Sequence, residues 1–364
     1  MLRFLFAAFL ALPLLALPAK AQDVGVAALA APDAFSSQGR ETGLPATLWR
    51  GASPEVLRAV LPLLAARPLS PAANRLARRV LATGASGPAG ITGFDVELAA
   101  ARAKALVALG DPQAAVAILS RAPGLERSPA LAEAAAEAAL LTGDEDRACT
   151  LAQGLAEGRT QTYWLRLRTF CQARAGETTA AALTLELAQG QARDAIFGRL
   201  MAARLNNTPP GAPSLRNGLD LALSRALTLD LAAAKPAPAV AAALAPPSEP
   251  FPPPSPLPAD GSMSDSVEVL MGAVDRSANR SNAALARLTG PAGRMPAGRG
   301  LALDRAVADG AVGETALVVL WAVAEAGPTG LGVGDRARLA AALARVGLTD
   351  DAAFFILEGL AALR

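Results

Sequence analysis

The segment LVALGDPQAAVAIL, residues 106–119, decides the fold, because one helical stretch ends in it and another begins. Asp111 supplies a side chain that can cap the second helix, and Pro112 is harmless in the first turn, where the amide makes no intrahelical hydrogen bond. Gly110 can end the first helix in the left-handed conformation that glycine tolerates. The segment therefore predicts two helices joined by a tight turn.

The same turn recurs at a fixed interval. ALLTGDEDRACTLA (139–152) and ARAGETTAAALTL (173–185) contain Gly143 and Gly176, so three successive glycines stand 33 residues apart. An alanine follows five residues after each glycine, and RVGLTDDAAFFILEGL (345–360) repeats this spacing near the C-terminal end; the alanines are Ala115, Ala148, Ala181 and Ala352. Since a small side chain lets antiparallel helices approach closely, we expect these alanines at helix contacts.

Further helix starts carry the same capping signal. A serine precedes a proline at three places, Ser53-Pro54, Ser70-Pro71 and Ser128-Pro129. The stretches between these signals are mainly alanine and leucine at helical spacing, and alternating β-branched residues over strand lengths are nearly absent. The sequence therefore predicts an all-α protein.

This pattern resembles the tetratricopeptide repeat (TPR), a helix–turn–helix unit of about 34 residues that stacks into a superhelix. The resemblance covers residues 93–190 and the last 35 residues. It implies TPR-like stacked antiparallel helix pairs, an α-solenoid, with a second C-terminal helical block. Alanine replaces most of the larger consensus residues of the first helix, so no peptide-binding position of the family is transferred to this chain.

The N-terminal residues predict export. Arg3 precedes an uninterrupted apolar run over residues 4–17, and Ala19, Lys20 and Ala21 form an A-x-A cleavage site. We expect a signal peptide over residues 1–21 and a bacterial protein of the periplasm; an uncleaved membrane anchor is the alternative. No other stretch approaches the roughly 18 apolar residues of a membrane span, so no membrane insertion is expected after cleavage.

The only two cysteines, Cys149 and Cys171, lie on consecutive predicted helices. They are almost equally distant from the turn near residues 158–160, which places them level in an antiparallel pair. A disulfide is therefore expected in an oxidising compartment. Two buried thiols or a redox pair are the alternatives, although redox cysteines are usually closely spaced, as in C-x-x-C.

Composition argues against several classes of function. Loss of Arg3 and Lys20 with the signal peptide leaves 32 basic against 32 acidic residues, so no nucleic-acid partner is expected. The chain has no histidine, which removes Ser-His-Asp catalysis and the usual zinc ligands. Aromatic residues make up only 4% of the chain, which disfavours carbohydrate-binding platforms. We therefore expect no cofactor and no metal site.

Two candidate chemical motifs are better explained as helix signals. GPTGLGVGD (327–335) lacks the G-K-[ST] ending of a phosphate loop, so a helix connector with Asp335 as N-cap is predicted. Asp144, Glu145 and Asp146 stand at a predicted helix start, where acidic residues are favourable. No G-x-S-x-G or S-x-x-K motif occurs. The sequence therefore predicts no catalytic residue and a protein that is not an enzyme.

The segment TYWLRLRTF (162–170) has the composition of a binding hot spot. Its candidate partner-binding residues are Tyr163, Trp164, Arg166 and Arg168. The two aromatic residues share a helical stripe with Cys171, so core packing is the alternative interpretation.

The chain is predicted to comprise five regions. Ten prolines between Pro236 and Pro258 favour an extended linker. The regions are a signal peptide (1–21), an extended N-terminal segment (22–45), a helical-repeat domain (46–232), a Pro/Ala-rich linker (233–262) and a C-terminal helical domain (263–364).

These features predict a non-catalytic scaffold of the cell envelope that binds a peptide or protein partner in a helical-repeat groove. An envelope hydrolase of the murein-acting type, using paired carboxylates, is one alternative. A purely structural subunit is the other.

Overall fold

The computed structural model describes residues 33–245, 269–271, 273, 295–327 and 330–362. Over these residues the chain forms helices and turns with no strand, which confirms the all-α prediction. The predicted signal peptide lies outside the described residues, as does the linker beyond residue 245.

The α-helices are α1 (Pro54–Ala66), α2 (Pro71–Ala82), α3 (Val96–Ala108), α4 (Pro112–Leu119), α5 (Pro129–Thr142), α6 (Glu145–Gly154), α7 (Thr162–Arg174), α8 (Thr178–Gln191), α9 (Ala195–Asn206), α10 (Gly218–Ala226), α11 (Pro238–Leu244), α12 (Ala297–Ala308), α13 (Val312–Ala326), α14 (Val333–Arg345) and α15 (Thr349–Ala361). A short 3-10 helix, Leu231–Ala233, lies between α10 and α11.

The predicted helix starts are confirmed. In α1, α2, α4 and α5, which open with proline, the preceding side chain accepts a hydrogen bond from the backbone amide three residues ahead; the capping residues are Ser53, Ser70, Asp111 and Ser128. These bonds satisfy amides that the helix itself leaves without partners.

The recurring glycines and alanines occupy the expected positions. Gly110, Gly143, Gly176 and Gly347 have φ angles of 80°, 85°, 81° and 89°, in the left-handed region. The alanines five residues later are all fully buried. Gly310 adds a further copy, which the alanine search missed because the buried residue five positions later is Thr315.

The first helices of the chain stack in a row. Helix α3 contacts both α1 and α5, and α10 also packs against α5. Helix α7 pairs closely with α8, and α9 connects this pair to α10. The chain thus turns back after α8, and a later helix takes the place beside α5.

The C-terminal block packs on the start of this row, and all described residues belong to one compact unit. Helix α13 contacts α1 and α2, α15 contacts α2, and their apolar side chains share one core with α1–α5. Carboxylates of the block also accept hydrogen bonds from the amides of Ser53 and Ala72, where α1 and α2 begin. Anionic groups at helix N-termini are favourable, so these contacts fix the block on the row.

The N-terminal segment is held by a buried arginine. The guanidinium of Arg102 on α3 donates to four backbone carbonyls, those of Ala34, Ser37, Leu81 and Thr83. Burial lowers the pKa of Arg102 to about 10. The segment also reaches the C-terminal block, where the amide of Gly313 donates to the carbonyl of Leu48 at 3.0 Å.

Part of the region predicted as linker is helical. Helix α11 opens with Pro238 and buries Val240 against Leu141, Leu215 and Leu221. Proline at the first helical position is compatible with this helix, although the density of prolines favoured an extended chain.

Candidate functional site

The two cysteines form the predicted disulfide. Cys149 on α6 and Cys171 on α7 are joined with a Cα–Cα distance of 5.5 Å. Both side chains are buried, at 8% and 7% exposure. The bond lies level across the antiparallel pair, as the equal distances from the turn predicted.

Of the two aromatic residues predicted to bind a partner, Trp164 lies inside the fold and Tyr163 is half-buried. Trp164 is only 1% exposed and packs in the cluster that contains Leu167 and Phe170. Tyr163 stacks edge-on against Trp164 with ring centroids 5.1 Å apart, and its hydroxyl is buried. Core packing, the alternative interpretation, therefore accounts for the position of Trp164.

The two predicted arginines hold neighbouring loops. Arg166 donates to the carbonyl of Ala192 at 3.0 Å and pairs with Asp194 at 3.3 Å. Arg168 donates to the carbonyl of Arg159 at 2.8 Å. The structure thus gives each arginine a contact within the fold.

Asp194 links α7, α9 and α10. Its carboxylate caps α9 by accepting from the amides of Ile196 and Phe197, and it also pairs with Arg166 and Arg216. Burial opposes ionisation, but the Phe197 amide and the guanidinium groups outweigh it and lower the pKa of Asp194.

Arg216 extends this contact to a second buried carboxylate. It binds Asp220, which is 2% exposed and also accepts from the hydroxyl of Ser214 at 2.6 Å. Its hydrogen bonds to Asp220 and Asp194 raise the pKa of Arg216, so the guanidinium stays charged. The network fixes the approach of α10 to the rest of the helices.

Glu137 on α5, a half-buried residue whose carboxyl group points into the fold, was not singled out by sequence analysis. Its Oε2 accepts a hydrogen bond of 2.8 Å from the amide of Gly218, the first residue of α10. Its Oε1 is buried beside the buried hydroxyl of Tyr163, and neither atom has another hydrogen-bond partner. Burial raises the pKa of Glu137 to about 7, although the Gly218 amide and the Tyr163 hydroxyl oppose this shift.

An exposed apolar face on α8 also escaped the sequence analysis. Leu183 and Leu187 are 61% and 57% exposed, whereas the helix buries only Ala181 and Ala188. Glu186 is the single charged residue of the helix. The sequence feature that could have predicted this face is the pair of leucines four residues apart in a helix with one charged residue. The repeat alignment interpreted that stretch as packed against other helices.

The acidic residues considered for chemistry act at helix ends. Asp144 caps α6, and Glu145 and Asp146 both pair with Arg174. The prediction for Asp335 is wrong, because Gly332 holds the N-cap position of α14 and Asp335 instead accepts from the amide of Met295 at 2.6 Å. Residues 328 and 329 of that glycine-rich loop lie outside the described residues.

Comparison with known proteins returned no match: no family profile, no curated protein and no solved structure matches the chain. Among the described residues, none of the helices is long and apolar enough to cross a membrane. Within the same residues, no group of three or more His, Cys, Asp and Glu side chains is placed to hold a metal ion.

Proposed function

We propose that this protein is a non-catalytic scaffold of the bacterial envelope, exported to the periplasm and built from TPR-like helix pairs. In this proposal it binds an amphipathic helix of a partner protein on the exposed face of α8. The exposure of Leu183 and Leu187 is the observation that carries it.

The geometry of α8 supports a helical partner. Leu183 and Leu187 stand one turn apart on the same side of the helix, which is the spacing that an apolar stripe on a second helix matches. Burial of such side chains contributes about 25 cal/mol for each Å² of apolar surface removed from water. A partner helix would extend the helix stacking that the chain already uses.

The charge of α8 defines the chemistry of the partner. Glu186 lies between the two leucines in sequence, is exposed, and is the one charged group of the helix. We therefore expect a partner helix with an apolar stripe and a lysine or arginine beside it, because opposite charges at the rim favour the correct orientation.

The recurring turns support the repeat assignment within this proposal. Gly110, Gly143, Gly176 and Gly347 each have a fully buried alanine five residues later, which is the arrangement expected at the seam of a helical hairpin. Stacked hairpins present extended surfaces, and such surfaces commonly bind protein segments.

The test is photo-crosslinking in intact cells. A benzophenone amino acid replaces Leu187, or Leu301 on α12 as a matched control, since Leu301 is also exposed, at 71%. We expect an adduct of one defined mass from position 187 and not from position 301, with the crosslinked peptide lying in an amphipathic helix of another protein. Leu183→Ser should abolish the adduct.

Three outcomes would contradict the proposal. Equal labelling at positions 187 and 301 would show that exposure alone determines the adducts. An adduct with a second copy of this chain would make the face a dimer contact. Absence of any adduct would favour a purely structural subunit.

A further inference from the structure

The junction of α5, α7 and α10 contains a carboxyl group in an unusual position. Glu137 reaches from α5 to the first residue of α10, while the hydroxyl of Tyr163 approaches from the start of α7. Glu137 Oε1 and the Tyr163 hydroxyl are buried and interact with each other, and neither has another hydrogen-bond partner. Such an isolated buried pair is sensitive to the protonation of the carboxyl.

Close packing makes the junction depend on Gly218. A Cβ atom at this position would lie 2.9 Å from Glu137 Oε2 and 3.0 Å from the Cβ of Leu140. The backbone of α10 therefore rests directly on α5, and little room remains for water to solvate a charged Glu137.

The charged groups around Glu137 are largely engaged elsewhere. Glu133, one turn earlier on α5, is paired with Lys104 of α3 at 3.6 Å. On α10, Asp220 is paired with Arg216 at 2.5 Å. Both carboxylates raise the pKa of Glu137 further, after burial. Around Glu137 the described contacts thus supply two acidic groups, one phenol and one backbone amide.

We infer that Glu137 is a proton-controlled latch, which holds α10 on α5 when the carboxyl is protonated and loosens α10 when the proton is lost. The neutral carboxyl can remain in the buried junction, whereas the carboxylate draws water into it. With a pKa of about 7, the latch responds to changes of pH around neutrality. This inference is independent of the proposed binding face.

The test is hydrogen exchange of the full-length exported protein at pH 5.5 and pH 8. Exchange rates of α10 amides are corrected for the intrinsic effect of pH, which yields the equilibrium constant for opening. In the wild-type protein we expect this constant to rise roughly 10-fold or more at pH 8. In Glu137→Gln, which stays neutral, it should be the same at both pH values.

Two further variants and the amides of another helix serve as controls for a general effect of pH. Glu133→Gln should retain the wild-type dependence, because Glu133 contributes less than burial does. Tyr163→Phe should move the transition to higher pH, because the hydroxyl favours the carboxylate. Amides of α3 should show no comparable change. Equal opening of wild-type α10 at both pH values, or an unchanged response in Glu137→Gln, would overturn the inference.

Discussion

The two ends of the helix row differ in whether other helices of the chain cover them. At the α1–α2 end, α13 and α15 of the C-terminal block cover the row, and their carboxylates bond to the first turns of α1 and α2. At the α7–α10 end, α8 packs on α7 and leaves Leu183 and Leu187 exposed. A stack of helices always has two ends with unpaired surfaces. This chain covers one of them with its own residues and leaves apolar surface at the other.

The largest expected effect comes from breaking the covered end. Arg102→Met removes the donors to four backbone carbonyls and leaves these buried acceptors unsatisfied. We expect the free energy of unfolding to fall by about 4 kcal/mol. Urea denaturation measures this. Arg305→Met, at a side chain that is 82% exposed, is the control and should change stability by less than about 0.5 kcal/mol.

The next largest loss of stability is expected from removal of the disulfide between α6 and α7. Replacement of both cysteines by serine removes the link between α6 and α7, and we expect a loss of about 3 kcal/mol, because the unfolded chain regains the entropy of a closed loop. Urea denaturation of the double variant and of the wild-type protein, with and without reductant, measures it. If reductant destabilised the double variant as strongly as the wild-type protein, the disulfide would not be the source of the effect.

The third effect is a pH dependence of the free energy of unfolding, which originates at the α7–α10 end. The pKa of Glu137 is raised to about 7 in the folded protein from 4.5 in the unfolded chain, so its stabilising contribution is complete below about pH 4.5 and is lost as pH rises through 7. Between pH 5 and pH 8 the wild-type protein should lose about 2 kcal/mol relative to Glu137→Gln. Urea denaturation of both proteins across this range tests the sign. A wild-type protein that gains stability over Glu137→Gln at pH 8 would contradict it.

The smallest effect on stability is expected at the exposed face itself. Leu183→Ser together with Leu187→Ser should change the free energy of unfolding by less than about 1 kcal/mol, because both side chains are more than half exposed. Because the benzophenone occupies position 187, crosslinking is measured with Leu183→Ser alone, which should lose the adduct. Leu301→Ser is the matched control for both measurements. A large loss of stability would show that these leucines serve the fold.

Local features of the structure were predictable from neighbouring residues. The caps at Ser53, Ser70, Asp111 and Ser128, and the left-handed glycines, depend on residues within a few positions of each other. The disulfide was also predictable, because its two helices are consecutive and joined by a short turn. Sequence periodicity likewise placed Trp164 and Cys171 on one buried stripe, although it could not separate packing from binding.

The candidate site was less predictable. Glu137 resembles an ordinary surface glutamate of an alanine-rich helix until α10, some 80 residues later, is placed on it. Leu183 and Leu187 resemble core leucines in the sequence, and only the folded chain shows that both are exposed.

The sequence by itself determined where the capped helices α1, α2, α4 and α5 begin, that the described chain is all-α and which two cysteines come level, because each of these follows from short-range geometry. Only the tertiary structure decided that α10 rests beside α5, that the C-terminal block covers α1 and α2, and that Arg102 gathers four carbonyls. These features join residues far apart in the chain. They are stabilised by packing and burial, which a short sequence pattern does not reveal.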